Sequence, residues 1–184
     1  MRLLLLAAPG GGKGTQGERL ASHFGVRHIS SGDVLRAAAG DGSPAGREVT
    51  AYQRRGDLVP DQTVLNLLLP VVAAAAAHGG YILDGFPRTL PQAITAAEIG
   101  VQLDLTLNAT IYLHVPEPVL VQRLLARARP DDTPDVIRHR LQVFTDTTSP
   151  LIEYYRNRGI LVEVNADQPP ESITNEIVAS LPAS

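Results

Sequence analysis

The run Pro9-Gly10-Gly11-Gly12-Lys13-Gly14-Thr15 limits what this chain can become more than any other feature. Before it stands a short apolar stretch, Arg2 to Ala8, which reads as a buried parallel strand entering a loop. After it, Lys13 to Phe24 places Leu20, Ala21 and Phe24 on one helical face. A strand, a glycine turn and a helix opened by Lys-Gly-Thr form a phosphate cradle. The backbone N–H groups of Gly10, Gly11, Gly12, Lys13, Gly14 and Thr15 point inward, and the helix N-terminus adds positive potential. Lys13 reaches the outer phosphates as a compact charge, and the Thr15 hydroxyl serves phosphate or magnesium. The alternative is a glycine-rich turn with a surface lysine. Composition argues against it, because Lys13 is the only lysine among 16 basic residues. A chain that uses arginine everywhere else keeps lysine where a guanidinium would not serve. Ala7 stands where the simple pattern has glycine, which at normal strand dihedrals leaves the loop possible.

The chain has 184 residues, enough for one domain with a real core and no need of a disulfide or metal staple. It has no cysteine, which excludes disulfides, thiolate–zinc sites, iron–sulfur clusters and cysteine nucleophiles. A net charge of −3 gives no basic field for nucleic acid or an anionic membrane. Leu3 to Leu6 is too short for a signal-peptide core, and no stretch approaches the ~20 apolar residues of a membrane span. A cytoplasmic single-domain protein is expected.

Further along, strands are expected at Val26–Ile29, Tyr81–Asp84, Ala109–Val115 and Ile160–Val164. Helices are expected at Val34–Ala39, Ala45–Arg55, Thr89–Ile99, Glu117–Arg127 and Pro170–Leu181. Asp61 is expected to cap a helix running to His78, and one helix is expected from about Asp135 to Asn157. Five strands alternating with helices predict an α/β fold, a five-stranded parallel sheet sandwiched by helices. The helical stretch 30–59 adds no strand and is an insertion on that sheet. The histidines show no metal-ligand spacing, and ordinary roles are expected for His23, His28, His78, His114 and His139.

Five further motifs follow the glycine loop in order. They are Ile29-Ser30-Ser31-Gly32-Asp33-Val34-Leu35-Arg36, Gly56-Asp57-Leu58-Val59-Pro60, Leu83-Asp84-Gly85-Phe86-Pro87-Arg88-Thr89-Leu90-Pro91-Gln92-Ala93, Arg127-Ala128-Arg129-Pro130-Asp131-Asp132 with Ile137-Arg138-His139-Arg140-Leu141, and Ser149-Pro150-Leu151-Ile152-Glu153-Tyr154-Tyr155. With the loop they span nearly the whole chain, which resembles the short-lid form of the adenylate kinases, in the P-loop nucleoside monophosphate kinase family. The resemblance implies reversible phosphoryl transfer from Mg-ATP to AMP, giving two ADP. It also implies a monomer with 30–59 as the monophosphate-binding insertion and about 127–135 as the lid. The lid has no cysteines and is too short for a tetrahedral site, so no zinc is expected.

By the same resemblance, Gly85, Phe86, Pro87 and Arg88 border the acceptor, with the Phe86–Pro87 bond cis. Arg36 and Arg88 grip its phosphate, since a planar fork suits paired oxygens. Ser31, Asp57, Leu58, Val59 and Gln92 surround its base, Gln92 pairing with an adenine edge. Arg123 and Arg127 go to ATP, Arg129 and Arg140 to the phosphates of both nucleotides, and Gln168 lies in the loop over the donor base. Asp84 orients magnesium-bound water. Taken alone, Ser31 also suits a helix cap, Gln92 a solvated face, Asp84 a turn carboxylate, and the arginines a solvated face paired with Asp131, Asp132 and Asp135. Two other functions remain compatible, a kinase for CMP, UMP or GMP and a nucleotide-binding module that has lost catalysis.

Overall fold

The computed structural model describes residues 1–40, 43–55, 57–127 and 132–181, with backbone alone at 44–45 and 53–55. Five strands, β1 (Arg2–Leu6), β2 (Arg27–Ser30), β3 (Tyr81–Asp84), β4 (Ala109–His114) and β5 (Leu161–Asn165), form one sheet in the order β2-β3-β1-β4-β5. Every pairing is parallel, with Leu4 opposite Leu83 on one side and Thr110 on the other. Parallel strands need crossovers, and helices supply them: α1 (Lys13–Phe24), α2 (Ser31–Ala39), α3 (Pro44–Arg55), α4 (Asp61–Ala77), α5 (Leu90–Gln102), α6 (Glu117–Arg127), α7 (Pro134–Val143), α8 (Pro150–Asn157) and α9 (Pro170–Ser180). Helices α2 and α3 both lie between β2 and β3 and add no strand.

Strand β1 is central, and Leu3, Leu4, Leu5 and Leu6 are buried on both its faces. Side-chain alternation then divides the core in two. Leu3, Leu5, Ile82, Ile111 and Leu113 pack with Leu20 of α1, Leu124 of α6, Ile137 of α7 and Ile177 of α9. Leu4, Leu6 and Leu83 pack with Leu35 of α2, Leu68 of α4, Ala93 of α5 and Leu151 of α8. The strand ends at Leu6 and Asp84 therefore open into a crevice at the centre of the sheet, where open α/β sheets bind ligands.

Three expectations need correction. The helix over 135–157 is interrupted: Phe144–Thr148 forms one wide π turn, closed by Ser149 N donating to Phe144 O at 2.8 Å. Pro150 has no N–H for the α-helical ladder, and the Thr145, Thr147 and Ser149 hydroxyls donate to carbonyls four residues back. Asp61 is not a cap; it is the first helical residue of α4, and Pro60 precedes it. Helix α2 begins at Ser31 rather than Val34.

Candidate active site

The glycine loop leaves β1 and turns into α1 through positive φ at Gly10 (83°) and Gly12 (89°), a backbone path closed to most side chains. Ala7 fits because Gly11 faces it: a Cβ at Gly11 would stand 2.6 Å from the Ala7 Cβ. Ala7 is buried and keeps a negative φ. Lys13 folds back over the loop, its Nζ donating to the carbonyl oxygens of Ala7 (2.6 Å) and Ala8 (3.1 Å). Burial lowers its pKa from 10.5 to about 8; Asp84 opposes the shift, while Arg88, Arg140 and Arg127 add to it.

Asp84, the last residue of β3, is buried beside the loop. Its Oδ2 lies 2.6 Å from Nε2 of His28 on β2, one strand away. The ring has room because residue 17 is glycine; a Cβ there would come within 2.3 Å of Nε2. His28 is thus a partly buried histidine held against Asp84. Its contact with Asp84 depends on β2 and β3 being neighbours, which no spacing in the chain announces.

After Asp84 comes the acceptor turn. The Phe86–Pro87 peptide is cis. Arg88 is braced at three atoms: Nε donates to Gly85 O (2.6 Å), N donates to Gln92 Oε1 (2.7 Å), and O accepts from Thr148 Oγ1 (2.8 Å). These bonds leave its two terminal amino groups without a hydrogen-bond partner among the described residues. Gln92 is buried rather than solvated, and its Nε2 donates to Asp61 Oδ1 at 2.6 Å. Its carboxamide therefore already joins Arg88 to α4. Ser31 is not a cap; its buried Oγ has no hydrogen-bond partner and lies against Gly85. Arg36 pairs with Asp33 one helical turn back. Asp57 lies 3.3 Å from His139 of α7, while Val59 and Phe86 are buried in the core.

The arginines divide into two kinds. Arg138 and Asp135 form an exposed surface pair, the bland reading of the cluster. Asp132 has a side chain with 0% exposure. It takes both forks of Arg127 (Nε 2.8 Å, Nη2 2.7 Å) and also Arg140 Nη1 at 3.3 Å. One buried carboxylate thus aligns two guanidinium groups from α6 and α7, a bidentate geometry suited to Arg. Arg123 donates to Ala166 O at 3.1 Å and stands 3.6 Å from Asp167. Gln168 Nε2 donates to Asn165 O and Glu176 Oε2. Arg129 lies outside the described residues, as do Gly56 and the rest of 128–131 within the 127–135 stretch.

Many of these groups line one cavity of about 670 Å³. Gly10 through Thr15, Arg36, Leu58, Asp84, Gly85, Pro87, Arg88, Arg123, Arg127, Arg140 and Gln168 line it, and so does His28. Ser31, Asp57, Val59, Phe86 and Gln92 do not. Burial and Arg140 lower the pKa of Arg88, and Arg36 adds to this. Crowding of cations at this cost is chemically sensible where several phosphates must be gathered and their charge neutralised.

A family model described as adenylate kinase matches residues 5–160. The chain is 44% identical over 176 residues to an adenylate kinase of Synechococcus sp. (strain CC9902), covering 96% of each protein. It is 45% identical over 175 residues to an adenylate kinase 1 of Synechocystis sp., covering 95% of this chain and 94% of the relative. An adenylate kinase 1 of Nostoc sp. is 43% identical over 180 residues, 98% of both chains.

Proposed function

The chain belongs to the adenylate kinase family, and from that premise we propose that its cavity transfers the terminal phosphoryl group of ATP to AMP, reversibly, giving two ADP. One observation carries the residue roles: Lys13, Arg36, Arg88, Arg123, Arg127 and Arg140 all line a single cavity around one buried carboxylate, Asp84. The acceptor phosphate is already anionic, so no general base is required. Catalysis reduces to alignment and charge neutralisation.

In this reading the loop amides and Lys13 cradle the donor phosphates, and Arg123 and Arg127 hold ATP. Lys13 exchanges its carbonyl partners at Ala7 and Ala8 for phosphate oxygens. Arg36 and Arg88 take the phosphate of AMP. Arg140, with Arg129, spans both nucleotides. Leu58, which lines the cavity, borders the acceptor base; Ser31, Asp57, Val59 and Gln92 support that border from outside the lining, and the main chain near Gln168 covers the donor base. Segments 30–59 and 127–135 close over the two and exclude water.

Among the described residues, no cluster of acidic or histidine side chains could hold a metal by itself. Asp84 and the Thr15 hydroxyl share the cavity with the phosphate loop, which fits a magnesium ion held mainly by phosphate oxygens and water. When bound, the ion neutralises phosphate charge; Asp84 and Thr15 would orient its water shell. The reading requires no zinc and no nucleic acid or membrane partner. Among the described residues, no helix is long and apolar enough to cross a membrane. We place the protein in the cytoplasm as a monomer.

A coupled assay of ADP formation, run with AMP, CMP, UMP and GMP, tests the acceptor. AMP is expected to be preferred strongly; equal use of CMP or UMP would replace the assignment with a broader monophosphate kinase. Lys13→Ala is expected to keep the fold and lower turnover by roughly two orders of magnitude or more. Near-normal turnover would remove Lys13 from the site.

A further inference from the structure

The residues Ile137, Leu141, Phe144, Thr148, Leu151 and Tyr155 are spaced four, three, four, three and four apart. On an unbroken α-helix such a stripe lies on one face and packs against one core. Here it does not. Ile137 and Leu141 pack with the core on one face of the sheet, with Phe144 against them, whereas Leu151 and Tyr155 pack with the core on the other face. The π turn at Phe144–Thr148 lies between the two halves. Each residue of an α-helix advances about 100°, so one extra residue in a turn sets the following face back by roughly that angle. The wide turn thereby lets one arm cross from one core to the other.

Thr148 stands at the end of that turn and is buried. Its Oγ1 donates to the carbonyl oxygen of Arg88, 60 residues away in the chain, at 2.8 Å. The same arm carries Arg140, two turns earlier, into the cavity that Arg88 also lines. From this we infer that Thr148 is a positioning residue for Arg88: the π turn aims its hydroxyl at the Arg88 carbonyl and fixes the acceptor turn to the Arg140-bearing arm. Resting on the reading of Arg88 as a phosphate ligand of AMP, it adds a residue at the cavity wall that acts through Arg88. Gly85 and Gln92 brace Arg88 from its own segment, so Thr148 alone ties it to the other side of the cavity through a hydrogen bond among the described residues. Losing that tie frees the turn to shift relative to Arg140. A misplacement of about 1 Å can cost on the order of a hundredfold in rate.

The test compares Thr148→Val, which keeps shape and loses the hydroxyl, with Thr148→Ser, which keeps the hydroxyl. The valine variant is expected to lose at least tenfold in kcat/KM for AMP while KM for ATP stays within twofold. Serine is expected to recover most of the loss. A merely structural role would lower both nucleotides' parameters together with the thermal midpoint, and would follow side-chain volume rather than the hydroxyl. Unchanged AMP parameters in Thr148→Val, or a serine variant as impaired as valine, would overturn the inference. If valine does not fold, Thr148→Ala against Thr148→Ser gives the same comparison. A wild-type protein that does not use AMP would overturn the functional reading itself, a result distinguishable before any variant is made.

Discussion

Lys13 offers the most quantitative consequence of the site. Burial in the cavity wall desolvates its ammonium and lowers its pKa to about 8. At pH 9 about a tenth of the protein then carries the proton, at pH 8 about half, and at pH 7 about nine-tenths. Binding ATP brings several negative charges against Nζ and restores the pKa toward or beyond its ordinary 10.5. The complex is then almost fully protonated across this range, so binding takes up about 0.1 proton at pH 7, about 0.5 at pH 8 and about 0.9 at pH 9. The terminal phosphate itself titrates near pH 6 and is already deprotonated, so it does not contribute at pH 9. Titration calorimetry of ATP in buffers of differing ionisation enthalpy reads the uptake directly as the slope of observed enthalpy. Lys13→Met should abolish that slope. A slope near zero at pH 9 in the wild type, or an unchanged slope in Lys13→Met, would refute the desolvated-lysine account. The same shift bears on folding. The unfolded chain binds more protons than the native one between pH 8 and 10.5, so this group's contribution to stability rises with pH through that window.

Further outcomes follow from other contacts. Asp132→Ala leaves the paired guanidinium groups of Arg127 and Arg140 without their buried acid, and is expected to cost about 1–3 kcal/mol by denaturant midpoint; an unmoved midpoint would mean the cluster adds nothing. Gly11→Ala drives a Cβ against that of Ala7 and should lower both stability and ATP binding. Adding Ala7→Gly should recover part of each loss, and a double variant no better than the single one would show that the clash is not the cause. Gln92→Leu leaves Asp61 and the Arg88 amide unpaired, so AMP use should weaken at least tenfold while ATP affinity stays within about twofold, as steady-state kinetics would report. Equal loss for both nucleotides would assign Gln92 a role in folding alone.

What was legible in the chain is what local chemistry fixes. The apolar run of β1, the glycines and the single lysine specify a strand, a phosphate loop and a helix, because period, turn dihedrals and donor chemistry act within a few residues. The alternation of five strands with helices gives the parallel sheet for a similar reason, since a parallel pair needs a crossover. Boundaries such as the start of α2 at Ser31 shifted because packing, rather than local pattern, sets helix ends.

Other features required the tertiary structure, since they join residues that only the sheet order brings together. His28 meets Asp84 because β2 and β3 are neighbours; in sequence it is one histidine among five, 56 positions away. Asp132 looks like any other nearby acid in the sequence, and its burial between α6 and α7 is what sets it against Arg127 and Arg140. Gln92 carries the right groups for a base edge, yet its place between Arg88 and Asp61 is set by how α5 lies against α4. The arm after Pro134 shows the limit most clearly. Its stripe has the spacing of a single helix, but two cores on opposite faces of one sheet both require part of it. Burial on both faces outweighs the regular ladder, and the chain inserts a wide turn that no periodicity foretells.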